Sequence, residues 1–405
     1  DGKTTTCNLI HRILLTAGLR AGMISTVNAV IGDEALDTGF HVTTPEAPDI
    51  QGYLARMVAA GLTHVVLEAT SHGLAQERVT GCEPDIAVVT NITHEHLDFH
   101  GSYSGYLAAK GRLFEMLMQT HKKEFGNQRV AVLNHDDRSY SSLLKIPAIR
   151  RITYGTKPVV DLLGDHIRNT PTGIDFTINT ENLRLDLHCR LAGIYNVANC
   201  LAAAGATYLA MGVPADAVVQ GIASLEGIPG RMERIDLGQE FTAIVDFAHT
   251  PNALKVALES LRPLTGGRLI VVFGSAGLRD RQKRRMMAET SARLADVSFL
   301  TAEDPRTESL DDILAEMGEG ALAQGGVEGK TFFRVPDRGE AIRQGVRMAQ
   351  KGDVVVACGK GHEQSMCFGE TEYAWDDRTA MRAALAELMG KEGQKMPYLP
   401  TQEKK

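Results

Sequence analysis

Residues 1–17 read Asp-Gly-Lys-Thr-Thr-Thr-Cys-Asn-Leu-Ile-His-Arg-Ile-Leu-Leu-Thr-Ala, and two patterns overlap in them. Gly2-Lys3-Thr4 is the back half of a phosphate-binding loop, in which backbone N–H groups and a helix N-terminus cradle phosphates, the lysine neutralises charge and the threonine hydroxyl binds magnesium. Ile10, Ile13, Leu14 and Ala17 then follow at the i, i+3, i+4, i+7 spacing of a buried helix face, and Gly18 supplies a stop. Such a loop needs a strand and a leading glycine before it, so the chain is expected to begin inside the loop, truncated at its start. By itself a Gly-Lys-Thr is equally compatible with an ordinary turn into a helix, and the rest of the chain has to decide.

Downstream, Thr63–Thr70 (THVVLEAT), Asp85–Thr90 (DIAVVT) and Arg129–Asn134 (RVAVLN) are short, nearly continuous apolar runs rich in β-branched residues. Runs of this kind are buried on both faces of a parallel sheet, and the helical segments between them give an α/β first half. Leu183, Leu185, Leu187, Cys189 and Leu191 alternate with Arg184, Asp186, His188 and Arg190, which predicts a half-exposed, antiparallel-type strand and a smaller mixed sheet near residues 150–191. Leu225–Arg234 (LEGIPGRMER) reads as a linker. Beyond it Thr242–Asp246, Arg268–Gly274, Asp296–Thr301, Thr331–Val335 and Asp353–Cys358 are strand-like, separated by helical stretches of βαβ length. The expected organisation is a P-loop-type α/β domain over 1–228, a doubly wound, Rossmann-like α/β domain over 229–390 and a polar, frayed tail over 391–405.

Composition narrows the function. A chain of 405 residues holds two or three domains. Lys+Arg 43 against Asp+Glu 50 gives a net charge of −7 with no basic stripe, which argues against nucleic acid as a partner. The longest apolar run, around 201–210, is cut by Gly205 and Thr207, short of the roughly 20 residues that span a bilayer, so no membrane span is expected. Six cysteines without a C-x-x-C pair fit neither a disulfide framework nor a zinc ribbon, and a reducing cytoplasm is the expected compartment.

Chemistry collects at strand ends, where ligands bind in open parallel sheets. Glu68 closes one apolar run and is followed by Thr70-Ser71-His72-Gly73; the next run ends in Thr90-Asn91-Ile92-Thr93-His94-Glu95-His96-Leu97-Asp98. Glu68, His94, Glu95, His96 and Asp98 are candidate metal ligands, against the plainer alternative of solvated strand ends. Lys110 is the anomaly: Tyr106, Leu107, Leu113, Phe114 and Leu117 set it inside an apolar helical stripe. Desolvation favours the neutral amine, which can react with carbon dioxide to form a carbamate, a negatively charged magnesium ligand. The alternative is a lysine snorkelling along the stripe edge.

Taken in order, GKTTT, LEATSHGLAQERV, TNITHEHLDFHG, YLAAK, NHDD, GxYNVxN, GRME, VDFAHTP, DPRTE and GKGHEQ resemble the Mur ligases, ATP-dependent amide-bond-forming enzymes of peptidoglycan synthesis, over nearly the whole chain. Within that family the motifs are most similar to the branch that adds the third amino acid to UDP-N-acetylmuramoyl-L-Ala-D-Glu. The resemblance implies ATP and magnesium as cofactors, with Gly2, Lys3, Thr4 and Thr5 on the phosphates. Thr4 and Glu68 would hold one magnesium; His96 and carbamylated Lys110 would hold a second. Asn196 would contact adenine, Arg231 and Asp246 the nucleotide, and His249 would stand near the phosphates as a catalytic residue with Lys3 and Lys110. Thr43, Thr44, Thr70, Gln76 and Arg78 match positions that grip the uridine-nucleotide peptide, and Arg279, Asp304, Arg306, Gly359 and Glu363 the positions around the incoming diamino acid, meso-diaminopimelate being favoured. The resemblance further implies a monomer whose uridine-binding domain is missing from this chain, leaving the activity of the fragment alone in question.

Three departures stand out: Thr70 where the family usually has Ser, Glu303-Asp304-Pro305-Arg306 for the common Asp-Asn-Pro-Arg, and Gly274-Ser275-Ala276-Gly277-Leu278-Arg279 in the preceding glycine-rich element. They leave L-lysine or another diamino acid open. A folylpolyglutamate synthetase-like ligase and a non-catalytic nucleotide-binding relative are the remaining alternatives. A relative partnering an amidotransferase would carry a four-cysteine zinc ribbon, a spacing this chain does not contain.

Overall fold

The structure, a computed structural model, describes residues 1–36, 44–92, 101–123, 129–147, 150–170 and 172–402. It divides into two compact units, Asp1–Glu226 and Gly227–Lys405.

The first unit starts with helix α1 (Lys3–Thr16), which begins at the lysine itself because Gly2 adopts the left-handed conformation (φ 76°) as its N-cap. A Cβ at Gly2 would lie 2.2 Å from Asn199 Oδ1, so both space and backbone demand glycine there. Strands β1 (Ala21–Ile24), β2 (Ala29–Ile31), β3 (Glu34–Leu36) and β4 (His64–Leu67) form one sheet in the order β3-β2-β1-β4, with β1 parallel to β4. Helix Ala47–Ala59 leads into β4, and the short helix Ser71–Ala75 follows it.

A second, six-stranded sheet runs β10-β9-β8-β7-β6-β5, from β5 (Ile86–Val89), β6 (Val130–Asn134), β7 (Arg150–Gly155), β8 (Leu162–Thr170), β9 (Gly173–Asn179) and β10 (Arg184–Cys189). The mixed sheet expected near 150–191 is present as β7–β10 but is larger than expected, because it continues through β6 and β5. β7 pairs in parallel with β6 and β8 with β7, while β9 and β10 extend the same sheet antiparallel. Alternation reports that one face of a strand is exposed, not which sheet the strand joins. Helix Asn196–Ala204 packs on this sheet, with Val197 and Leu201 lying against Gly164 of β8.

The second unit holds β11 (Glu233–Ile235), β12 (Thr242–Asp246), β13 (Leu269–Phe273), β14 (Val297–Leu300), β15 (Phe332–Arg334) and β16 (Val354–Cys358) in the order β11-β12-β16-β13-β14-β15. All but β11 are parallel. β13 and β16 are buried at every position, as their unbroken apolar sequences require, and apolar clusters cover both faces of the sheet. A hairpin of β17 (Ser365–Phe368) and β18 (Thr371–Ala374) precedes the last helix, Asp377–Met389.

The tail is not frayed over its described part. Leu399 is fully buried beside Trp375 and Leu385 with Met396 packed on the cluster, and Thr401 Oγ1 donates to Asp337 Oδ2 at 2.8 Å. Two isolated apolar anchors hold an irregular strap that periodicity cannot reveal. Among the described residues no helix is long and apolar enough to cross a membrane.

Candidate active site

In the first unit, α1 presents its N-terminal turn, with Thr4 and Thr5 buried and Lys3 half-buried. Thr4 Oγ1 donates to Glu68 Oε1 at 3.0 Å, and the Thr26 amide donates to Glu68 Oε2, also at 3.0 Å. Glu68 is only 2% exposed, so a buried carboxylate sits against the hydroxyl of the phosphate-binding loop, one residue past β4. Hard oxygen donors of this type suit magnesium, which is commonly held by one or two carboxylates together with phosphates and water. The pair fits the ion, and among the described residues no cluster of three or more His, Cys, Asp or Glu side chains offers a competing metal site. His94, Glu95, His96 and Asp98, and Thr43, lie outside the described residues.

Lys110 lies on helix Tyr103–Gln119 and is 8% exposed. Its Nζ is 5.0 Å from the Tyr106 ring centroid and donates to the carbonyl of Asn91 at 3.3 Å. Asn91 and Thr90 in turn donate to the Asp1 carbonyl at 3.0 and 2.8 Å. The end of β5 thus links Lys110 to the residue that opens the phosphate loop. Asn196 heads its helix and is buried, and Asn199, which sequence reasoning passed over, donates to Asn196 Oδ1 at 2.9 Å while touching the Gly2 position. The second Asn of the GxYNVxN motif was its signal.

Thr44, Thr70 and Arg78 also meet. The Thr44 and Thr70 hydroxyls are 3.0 Å apart, Arg78 Nη1 donates to the Thr44 carbonyl at 2.8 Å, and Thr70 caps the short helix by accepting from the Gly73 amide at 3.0 Å. Gln76 is exposed at the far end of that helix and makes none of these bonds.

In the second unit, Asp246 ends β12, accepting from the Met232 and Ala248 amides at 2.7 and 2.9 Å; burial nevertheless raises its pKa. Phe247, not singled out from the sequence, is a hub: the Arg231 guanidinium lies 4.4 Å from its ring centroid, and the rings of His249 and His362 4.5 and 4.8 Å. Burial, then the charge of Lys283, lowers the His249 pKa to about 4, so the ring is neutral near pH 7. With Nδ1–H donated to the Phe247 carbonyl at 2.9 Å, Nε2 is left as an acceptor.

Two loops leave the C-terminal ends of β14 and β16. In the first, Asp304 and Arg306 both have left-handed backbone (φ 42° and 55°), a strain of order 1–3 kcal/mol each that clusters at functional sites. Here it is held by Gly277 N–H to the Asp304 carbonyl at 2.9 Å, Arg306 N–H to the Cys367 carbonyl at 3.1 Å and Gly369 N–H to the Arg306 carbonyl at 2.8 Å. Arg306 Nε is buried and has no hydrogen-bond partner among the described residues. Glu308 does not neutralise it, because Glu308 is engaged by Arg284 at 2.6 Å and by the Leu278 amide at 2.5 Å. In the second loop, Lys360 is fully buried between Asp304 (3.0 Å to each oxygen) and Glu363 (2.5 Å). Gly359 has φ 114°, and a Cβ there would fall 2.3 Å from Glu303 Oε2. Arg279 is exposed.

Residues 1–207 match the middle domain of Mur ligases, and residues 230–361 the Mur ligase glutamate ligase domain. The chain belongs to the Mur ligase family. A UDP-N-acetylmuramyl-tripeptide synthetase of Roseiflexus sp. (strain RS-1) is 42% identical over 394 residues, covering 96% of this chain and 77% of its own length. A UDP-N-acetylmuramoyl-L-alanyl-D-glutamate–2,6-diaminopimelate ligase of Geobacillus thermodenitrificans (strain NG80-2) is 40% identical over 387 residues with the same coverage. A solved structure of a ligase of that name superposes with a TM-score of 0.65 at 32% identity, covering 96% of this chain and 77% of the other. The strand-end cluster of the first unit holds a helix N-terminus, hydroxyls and a carboxylate, and that of the second holds paired charges.

Proposed function

We propose that this Mur ligase joins meso-diaminopimelate to UDP-N-acetylmuramoyl-L-Ala-D-Glu at the expense of ATP. The γ-phosphoryl group passes to the free carboxylate of the dipeptide, releasing ADP; the amine of the diamino acid then attacks the acyl phosphate, forming the amide and releasing phosphate. Gly2, Thr4 and Thr5 offer the α1 N-terminus to the phosphates and Lys3 offsets their charge, since phosphoryl transfer depends mainly on positioning and electrostatics. Thr4 and Glu68 are the residues suited to magnesium, with His96 and Lys110, the latter as a carbamate, for a second ion; when bound, the metal neutralises charge on the transferring group. Asn196, Arg231 and Asp246 are assigned to the nucleotide. Neutral His249 is assigned to the phosphates as an acceptor, and Thr43, Thr44, Thr70, Gln76 and Arg78 are assigned to the peptide substrate.

The observation that carries the choice of amino acid is Arg306, a guanidinium on a strained backbone with its buried Nε unsatisfied. Its planar fork suits a carboxylate, and meso-diaminopimelate has a distal one. Glu363, which with Asp304 flanks the Lys360 ammonium, is assigned to the distal ammonium of the substrate. L-Lysine would leave Arg306 unpaired, which costs on the order of 3–5 kcal/mol, roughly two to three and a half decades in preference. The test compares kcat/KM for the two amino acids in wild type and in Arg306→Ala. Wild type is expected to prefer meso-diaminopimelate and the variant to lose the preference; equal efficiencies in wild type would overturn the assignment.

A further inference from the structure

β14 and β16, from whose ends the two acceptor loops emerge, are not neighbours, because β13 lies between them. Ladder hydrogen bonds tie each strand to β13 and leave the two loop origins without a direct backbone link. A side chain supplies one. Arg338, the first residue of helix Arg338–Met348, is 0% exposed and donates from Nη1 to the Ala302 carbonyl at 3.2 Å and from Nη2 to the Cys358 carbonyl at 2.8 Å. Ala302 immediately precedes Glu303, and Cys358 immediately precedes Gly359. One rigid guanidinium therefore holds both peptide groups at which the acceptor loops begin.

Its orientation is fixed from behind. Asp377 accepts from Nε at 2.7 Å and from Nη2 at 2.6 Å, and Trp375 Nε1 donates to Asp377 Oδ1 at 2.9 Å. The side chains of Arg338 and Asp377 are both 0% exposed. A buried ion pair is weak evidence for stability, since well-packed apolar residues of similar volume often serve as well or better, so a positional role is the better account of this one. The loops also meet without slack where Gly359 faces Glu303 Oε2, and a small shift of either origin would misplace Arg306 relative to Glu363.

We propose that Arg338, held by Asp377, is a positioning residue that sets the spacing of the Arg306 and Glu363 loops and thereby the fit of the diamino acid. The proposal rests on the assignment of those loops to the amino acid. In the full-length protein, Arg338→Lys keeps a charge for Asp377 but cannot span two carbonyls. It is expected to raise KM for the diamino acid about tenfold, the size one charge-assisted hydrogen bond carries, while KM for ATP and for the UDP-dipeptide stays put. Met317→Ala, which removes buried apolar surface and leaves both carbonyl bonds in place, is expected to lower the melting temperature without moving that KM. Should Arg338→Lys fail to fold, Asp377→Asn, which preserves shape, is expected to show the same split.

A readout independent of turnover is amide hydrogen exchange: residues 303–306 and 359–363 are expected to exchange faster in the variant while β12 and β13 do not. The proposal is overturned if all three KM values move together, if kcat alone falls, or if the two segments keep their wild-type exchange. Absence of amino-acid-dependent ADP release in wild type would remove the assignment of the pocket instead, and the exchange result would still decide whether Arg338 ties the loops.

Discussion

Glu303→Gln isolates one charge whose effect on stability is set by burial. Glu303 is 7% exposed, and its Oε2 has no hydrogen-bond partner among the described residues. Burial pushes its pKa from 4.5 to about 7, against the pull of Arg338, Lys283 and Lys360. A folded-state pKa raised above the unfolded value means that the stability linked to the bound proton is fully present below about pH 4.5 and is lost as the pH rises through about 7. At 1.36 kcal/mol per unit, the loss is roughly 3 kcal/mol. Gln is neutral throughout, so the stability of the variant relative to wild type should be flat below pH 4.5 and should rise by about 3 kcal/mol by pH 8. His249 and His362, with pKa values lowered to about 4 and about 3, have the opposite sign: their contribution is present above the unfolded value and lost as the pH falls. Both proteins share them, and they cancel in the difference. Urea unfolding followed by Trp375 fluorescence makes the measurement local, since Trp375 is the single tryptophan and lies buried in the second unit. A difference independent of pH between 4 and 8 would refute the reasoning.

Two further expectations concern the first unit. Lys110→Ala should abolish ligation in the full-length protein, with partial rescue by a small carboxylic acid that fills the vacated space; normal turnover in the variant would show that Lys110 is no metal ligand. Glu68→Gln should lose metal-dependent ATP turnover mainly in kcat, by two or more orders of magnitude if the metal stabilises developing charge on the order of 3 kcal/mol. A variant whose only defect is a raised KM for the peptide substrate would place Glu68 on that substrate instead.

Strands β6 and β13 were legible because they are buried on both faces and therefore written as unbroken apolar runs, RVAVLN and LIVVF, whereas β4 leaves Val65 44% exposed. Glu68 stood out as a carboxylate at the end of such a run, and the structure bonds it to Thr4. Lys110 stood out because a helical stripe enclosed it. What stayed hidden depends on partners distant in sequence. Nothing local says that β7 pairs with β6, or that Leu399 inserts beside Trp375. Lys360 looked like one more residue of a glycine-rich motif until Asp304, 56 positions away, closed on it. Arg338 opens an amphipathic helix, where an arginine ordinarily reads as solvent-facing; its burial follows from Asp377, 39 residues later.

The central claim is the identity of the reaction, and product formation tests it most directly. The full-length protein is incubated with ATP, magnesium, UDP-N-acetylmuramoyl-L-Ala-D-Glu and a panel of amino acids, with ADP release and the mass of the nucleotide product followed together. The account predicts one ADP per peptide bond, with the UDP-linked tripeptide formed from meso-diaminopimelate well ahead of L-lysine. ADP release that is indifferent to the amino acid, or transfer of glutamate to a folate in place of this product, would contradict it.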